Sequence, residues 1–407
     1  MNMHTREELA YRQALPLSMK VAFTKTRIRQ WVDRFGLDGI YLSYSGGKDS
    51  TVLSHILDDM YPGNEIKRVF VDTGLEYPEI REFVKRDPRA VFLKPKLTFK
   101  QVIEKYGYPF ISKETSACVY GARMYLTKIA EQTAQSDSTA QHSTAQHSTA
   151  QSCRISGVST ELAERVLTEK GYQAPCRMAM LLGKYEKNWN KKKKGIIPNE
   201  FDKSMFSQEK YKFFLDAPFT ISDMCCKVMK KSPIHTYNRQ TGLMPMTAQM
   251  ASESRLRTQQ WIKNGCNGFD LKNPVSNPMA TWTEQDVLLY IKLHNVEICS
   301  VYGDIVTDYA KDGQLDGQVS LTDLSDEYGL FDLGNPPLKT TGCSRTGCMF
   351  CGYGCHLEKP GEGRFELMKK THPKIYDYIM RPKEEGGLNY KEIIDWINEH
   401  GNLNIKY

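Results

Sequence analysis

No apolar run in the 407-residue sequence exceeds a handful of residues. Val287 to Ile291 is of that size, far short of the ~20 residues that cross a hydrocarbon core, so no membrane span is expected. The start, MNMHTREELAYR, lacks the apolar centre of a secretion signal, and the expected compartment is the cytoplasm. A large excess of one charge is also missing. Lys plus Arg is 55 against 48 for Asp plus Glu, a net +7 whose distribution matters more than its size. Cysteine, in contrast, is plentiful at 11, in a chain too long for a secreted disulfide scaffold. In a reducing compartment such thiols act as ligands, catalysts or core fillers.

The first 36 residues read as a helical lead-in, with Val21, Ile28, Trp31 and Val32 among basic residues, ending at Gly36. Strands are expected at Gly39–Ser45, Lys67–Asp72 and Ala90–Leu93, with helices at about 50–61, from Pro78, and near Phe99–Tyr106. That alternation predicts βαβ units, hence an α/β fold with a parallel, doubly wound sheet. Residues 37–300 are assigned to this nucleotide-binding domain and 301–407 to a small cysteine-rich region ending in two short helices, the last Tyr390–His400 closed by Gly401. Within 131–152 the unit STAQH repeats with almost no apolar content, which predicts a flexible insertion, and its His142 and His147 read as products of the repeat. A helical segment follows at about Ala163–Leu181, then a basic segment at 184–195. Thr283 with Asp286 forms the pattern of a capping box opening a helix Glu284–Leu293.

Ser45-Gly46-Gly47-Lys48-Asp49-Ser50 falls between the first strand and its helix, where backbone N–H groups and a helix N-terminus make an anion site. The glycines admit close approach of a phosphate, Ser45 and Ser50 add hydroxyls, and Lys48 adds charge. Asp49 has two readings, a helix-start cap or a phosphate or metal positioner. The G-x-x-x-x-G-K-[ST] spacing of a Walker loop is absent.

These residues resemble the PP-loop adenine nucleotide α-hydrolases, and within them the phosphoadenosine phosphosulfate (PAPS) reductase family. Ser45 to Ser50 matches the SGGxDS loop. Asp72-Thr73-Gly74 with Tyr77, Pro78 and Glu79 matches the second-strand signature, and Glu253, Ser254 and Arg257 match the Glu-Ser-x-x-Arg element. WTEQDVLLYI, from Trp282, is similar to the family's tryptophan-threonine helix near the active site. The resemblance implies that Ser45–Ser50 holds phosphates with Mg2+, and that Asp72, Thr73 and Gly74 hold the nucleoside. It also implies that Lys48, Asp49 and Arg257 serve the reaction, Arg257 with Glu253 beside the departing charge. A helical i, i+4 ion pair is the other reading of Glu253 and Arg257.

Cys343, Cys348, Cys351 and Cys355 lie in one glycine-rich loop, and Cys225-Cys226 form a doublet. Four thiols this close are a metal signal. The iron-sulfur sulfonucleotide reductases resemble this arrangement, and the resemblance implies a 4Fe-4S cluster on Cys225, Cys226, Cys348 and Cys351, with Cys343 and Cys355 as alternates. The local quartet is a competing set, and zinc a competing metal. Cys118, Cys153, Cys176, Cys266 and Cys299 read as core or surface thiols, and His356 as a structural residue.

Reductases of the family carry a degenerate loop and a Glu-Cys-Gly-Leu nucleophile, and no such tetrapeptide occurs near Tyr407. The intact loop points to ATP, or a related adenylyl nucleotide, split at the α-phosphate and coupled to sulfur chemistry. Direct sulfonucleotide reduction and a non-catalytic binding module remain as alternatives. Lys191, Lys192, Lys193 and Lys194 beside Trp189 could grip a nucleic-acid backbone or simply form a solvated loop. A sulfur or electron donor protein is a further expected partner.

Overall fold

The computed structural model describes residues 3–138, 158–196, 204–308 and 337–407. Its strands are β1 (Ile40–Ser43), β2 (Lys67–Val71), β3 (Ala90–Leu93), β4 (Phe110–Ile111), β5 (Met244–Met246), β6 (Asn267–Gly268), β7 (Val275–Ser276), β8 (Ile305–Thr307), β9 (Leu338–Thr340) and β10 (Gly352–Tyr353). Helices α1 (Arg6–Gln13), α2 (Leu17–Phe35), α3 (Lys48–Met60), α4 (Pro78–Lys85), α5 (Phe99–Tyr106) and α6 (Lys113–Ser138) occupy the first third of the chain.

The chain divides into two units, each built from two segments: residues 1–94 with 233–348, and 95–232 with 349–407. The consecutive boundaries at 36 and 300 expected from the sequence do not coincide with these. A local composition scan cannot detect a chain that leaves one unit and returns to it.

The first unit carries the sheet, in the order β3-β2-β1-β5-β7-β6. Its pairs are parallel except the edge pair β6–β7. β1 is central and wholly apolar up to Ser43, as a strand covered on both faces must be. Trp31 of α2, Val52, Leu53, Ile56 and Leu57 of α3, and Trp282 fill the core around it. Trp282 lies inside this core, its indole N–H donating to Thr24 Oγ1 at 2.9 Å, so it is a packing residue. Arg68 on β2 is fully buried and satisfied by Asp58, Ser54, Asn64 and the Ile66 carbonyl. Thr283 and Asp286 form the expected capping box, and Asp286 also binds the buried Lys20 at 2.7 Å.

In the second unit β4 pairs with β10 in parallel. The buried guanidinium of Arg123 gathers the carbonyls of Phe214, Leu215 and Ala217. Three departures from the sequence reading occur here. α6 runs to Ser138, into the segment expected to be a flexible insertion, while the remaining repeats, with His142, His147 and Cys153, lie outside the described residues. The helix expected over 163–181 is two helices, Thr160–Lys170 and Cys176–Leu181, because Gly171 takes φ +50° and Pro175 bars continuation. Among the described residues the tail has three α-helices, and the last, Tyr390–Gly401, is closed by left-handed Asn402.

Candidate functional site

The loop Ser45–Ser50 connects β1 to α3, at the carboxyl end of a central parallel strand. Gly46 has φ +68°, and a Cβ there would sit 2.7 Å from Val84 Cγ2 and 2.9 Å from Ile80 Cγ2, so both backbone and space demand glycine. Ser45 and Ser50 brace the turn. Their hydroxyls are 3.1 Å apart, Gly47 N–H donates to Ser45 Oγ, and Ser50 Oγ donates to the Gly47 carbonyl at 2.9 Å.

Lys48 is 3 % exposed. Its ammonium donates to the Ser344 carbonyl at 2.7 Å and lies 3.0 Å from Glu284 Oε1. Its backbone N–H donates to the Tyr302 hydroxyl at 3.2 Å, and that hydroxyl is 2.5 Å from Thr346 Oγ1. Burial raises the Tyr302 phenol to about 12, so it is neutral and able to donate at physiological pH.

Gly47 is the N-cap of α3 and supplies no side-chain cap, which sets aside the capping role for Asp49. Instead Asp49 Oδ1 is buried with no hydrogen-bond partner. Burial raises this carboxyl above its ordinary value, Glu284 adds to the rise, and Lys48, Arg345 and Arg257 oppose it. A buried carboxylate oxygen with no hydrogen-bond partner suits a metal or a shared proton.

Arg257 enters from the helix Arg255–Asn264, whose N-cap Ser254 accepts from Arg257 N–H. It forms the i, i+4 ion pair with Glu253, and the charges of Asp49 and Arg345 also act on it. Burial, then the charge of Arg345, lowers its pKa. A cavity of about 190 Å³ adjoins Arg257, lined by Gln249, Gln260, Asn264 and Asn277 among others.

Asp72 and Thr73 follow β2 directly. Asp72 is paired with Arg81 at 3.0 Å, and the Thr73 hydroxyl and N–H both bond the Glu76 carboxylate. Gly74 completes the turn at φ +73°. The sequence reading missed Glu284, Tyr302, Arg345, Thr346 and Glu76. Only Glu76 was within local reach, three residues from Thr73.

In the second unit, Cys225, Cys226, Cys351 and Cys355 share one neighbourhood. Tyr390 feels Cys225, Cys351 and Cys355, and Tyr353 feels Cys226 and Cys351. Burial pushes Cys355 up to about 12 and raises Cys351, to which Cys226 adds. Among the described residues, no three His, Cys, Asp or Glu side chains stand close enough to hold a metal ion. The described cysteines are free thiols. The donor set is nonetheless soft and of thiolate type, fitting iron-sulfur or zinc. Cys343 and Cys348 belong to the first unit. His356 Nε2 meets the Tyr211 hydroxyl at 3.3 Å.

The basic segment folds as a short helix, Trp189–Lys193. Trp189 is buried against Tyr172, and Lys192 is buried in an ion pair with Glu186. Neither is presented for base stacking or phosphate contact. Lys191, Lys193 and Lys194 remain at the surface.

A parallel sheet with a glycine-serine-lysine loop at the end of its central strand, faced by arginines, defines an α/β protein of the PP-loop kind. The model of the phosphoadenosine phosphosulfate reductase domain matches residues 39–135 and 179–352, and the chain belongs to that family. A protein of Methanocaldococcus jannaschii described only as uncharacterized is 39% identical over 75 residues, which are 17% of this chain and 18% of that protein. The chain thus matches less than a fifth of that relative's length. The crystal structure of phosphoadenylyl-sulfate (PAPS) reductase from Candida auris, a phosphate complex, is 12% identical with TM-score 0.32, covering 75% of this chain and 96% of that one. Among the described residues no helix is long and apolar enough to cross a membrane.

Proposed function

We propose that the chain binds ATP or a related adenylyl nucleotide at Ser45–Ser50 and cleaves or transfers at its α-phosphate. The observation that carries this reading is the loop itself, with the buried Lys48 and the unpartnered, buried Asp49 oxygen in it and the charge of Arg257 acting on Asp49. Lys48 and the N–H groups opening α3 bind the outer phosphates. Arg257 meets the charge that develops on the departing group. Asp49 Oδ1 is the atom that would hold Mg2+, which supplies neutralisation of phosphate oxygens. Asp72, Thr73 and Gly74, at the end of β2, receive the nucleoside.

A 4Fe-4S cluster would be held by Cys225, Cys226 and Cys351, with Cys348 or Cys355 as the fourth thiolate and zinc as the competing metal. When bound, it supplies redox or sulfur-delivering chemistry, and a sulfur or electron donor protein serves it. The surface lysines Lys191, Lys193 and Lys194 support weak, salt-sensitive contact with a polyanion such as nucleic acid, in the cytoplasm.

Lys48→Ala tests the reading. Pyrophosphate release and nucleotide affinity both fall, and unchanged values would show the loop to be misassigned. Membership of the PAPS reductase family supports a second reading, direct reduction of a sulfonucleotide. Anaerobic incubation with PAPS and a thiol donor yields sulfite under that reading and none under the first.

A further inference from the structure

We propose that Arg345 is a phosphate-binding residue, carried to the Ser45–Ser50 loop by a strap, Ser344–Thr346, that is fastened to the loop on both sides of it. The proposal rests on the nucleotide reading above and adds a residue that the sequence motifs do not contain. On one side of Arg345, the Ser344 carbonyl accepts from the Lys48 ammonium at 2.7 Å. On the other, Thr346 Oγ1 is 2.5 Å from the Tyr302 hydroxyl, which itself accepts the Lys48 backbone N–H. Thr346 Oγ1 also comes within 3.4 Å of where a Cβ on Gly47 would be. Gly342 N–H and Cys343 N–H bond the Tyr302 and Val301 carbonyls, so the strap's approach is fixed by backbone as well.

Between these fastenings Arg345 is exposed, and among the described residues its guanidinium has neither a hydrogen bond nor an ion pair. It lies close enough to Asp49 to oppose that residue's shift, and close enough to Arg257 to repel it. Lys48, Arg257 and Arg345 therefore surround one glycine loop while carboxylates partner only the first two, Glu284 with Lys48 and Glu253 with Arg257. Two guanidiniums held near each other repel, and an anion between them turns repulsion into attraction. A guanidinium fork with free donors beside α3's N-terminus suits a polyphosphate chain.

The test uses the full chain, with ATP and AMP as probes in equilibrium titrations of wild type, Arg345→Ala, Arg345→Lys and Lys48→Ala. Arg345→Ala is expected to weaken ATP by about tenfold or more, the size of a lost charge-assisted contact, while AMP changes by less than about twofold. Arg345→Lys falls between. The salt dependence of ATP binding flattens in Arg345→Ala, a readout that a merely structural role would not move. Unchanged ATP affinity in Arg345→Ala, with Lys48→Ala weakened, overturns the Arg345 proposal and leaves the loop reading standing. A wild-type chain that binds no ATP overturns both.

Discussion

The Lys48 ammonium, buried in the loop, lies 3.0 Å from the carboxylate of Glu284, 236 positions away at the start of another helix. Glu284 thereby neutralises the cation on which phosphate binding depends. Replacing it with Gln removes that competition. Glu284→Gln is expected to tighten ATP binding by about 1.4-fold to fivefold, because a half-exposed charge pair is worth about 0.2–1 kcal/mol. Isothermal titration of the two proteins checks this, and weaker binding would assign Glu284 to the substrate instead.

Asp49 gives the site a pH signature. Its folded-state pKa is raised from 3.8, chiefly by burial. A raised value means that stability is fully present below the unfolded pKa and is lost as pH rises through the folded one. Asp49→Asn, which cannot ionise, is therefore expected to be more stable than wild type at neutral pH. The difference in Tm should shrink toward zero as pH falls below 3.8. Thermal melts across pH 3–8 measure it, and a difference that grows toward acid would contradict the assignment.

Gly46 and Gly63 make a controlled pair. Both have positive φ, but a Cβ on Gly46 strikes Val84 and Ile80 whereas one on Gly63 meets open space. Gly63→Ala should cost about 1–2 kcal/mol for the left-handed backbone. Gly46→Ala should cost about 1–3 kcal/mol more for overpacking, and should also weaken nucleotide binding. Urea denaturation followed by tryptophan fluorescence separates the two.

The thiol neighbourhood yields its own test. Cys225→Ser, Cys226→Ser and Cys351→Ser are each expected to lower the iron content of anaerobically purified protein more than tenfold, whereas Cys118→Ser and Cys299→Ser leave it unchanged. Comparing Cys348→Ser with Cys355→Ser identifies the fourth ligand. Stoichiometric zinc without visible absorption would replace the cluster with a zinc site.

The sequence made the local signals legible. α5 spans Phe99–Tyr106 as expected, since Thr98 and Gln101 cap it and Gly107 ends it. The capping box at Thr283 and the glycines of the phosphate loop were equally local. Glu284 and Tyr302 reach Lys48, and Arg345 acts on Asp49, only through the fold, across more than 200 positions. Of the two readings open for Asp49, the cap falls away because Gly47 holds that position. For Trp189 and Lys192 the sequence left a gripping surface and a solvated loop both open, yet Tyr172 and Glu186 bury them, and no local pattern indicates which face of a five-residue helix points inward.

The most direct measurement is product analysis of ATP turnover by the anaerobic wild-type chain with Mg2+, beside Lys48→Ala. AMP, or an adenylylated acceptor, is expected with an equal amount of pyrophosphate, and both are lost in Lys48→Ala. ADP with orthophosphate, or sulfite from PAPS with no pyrophosphate from ATP, would contradict it.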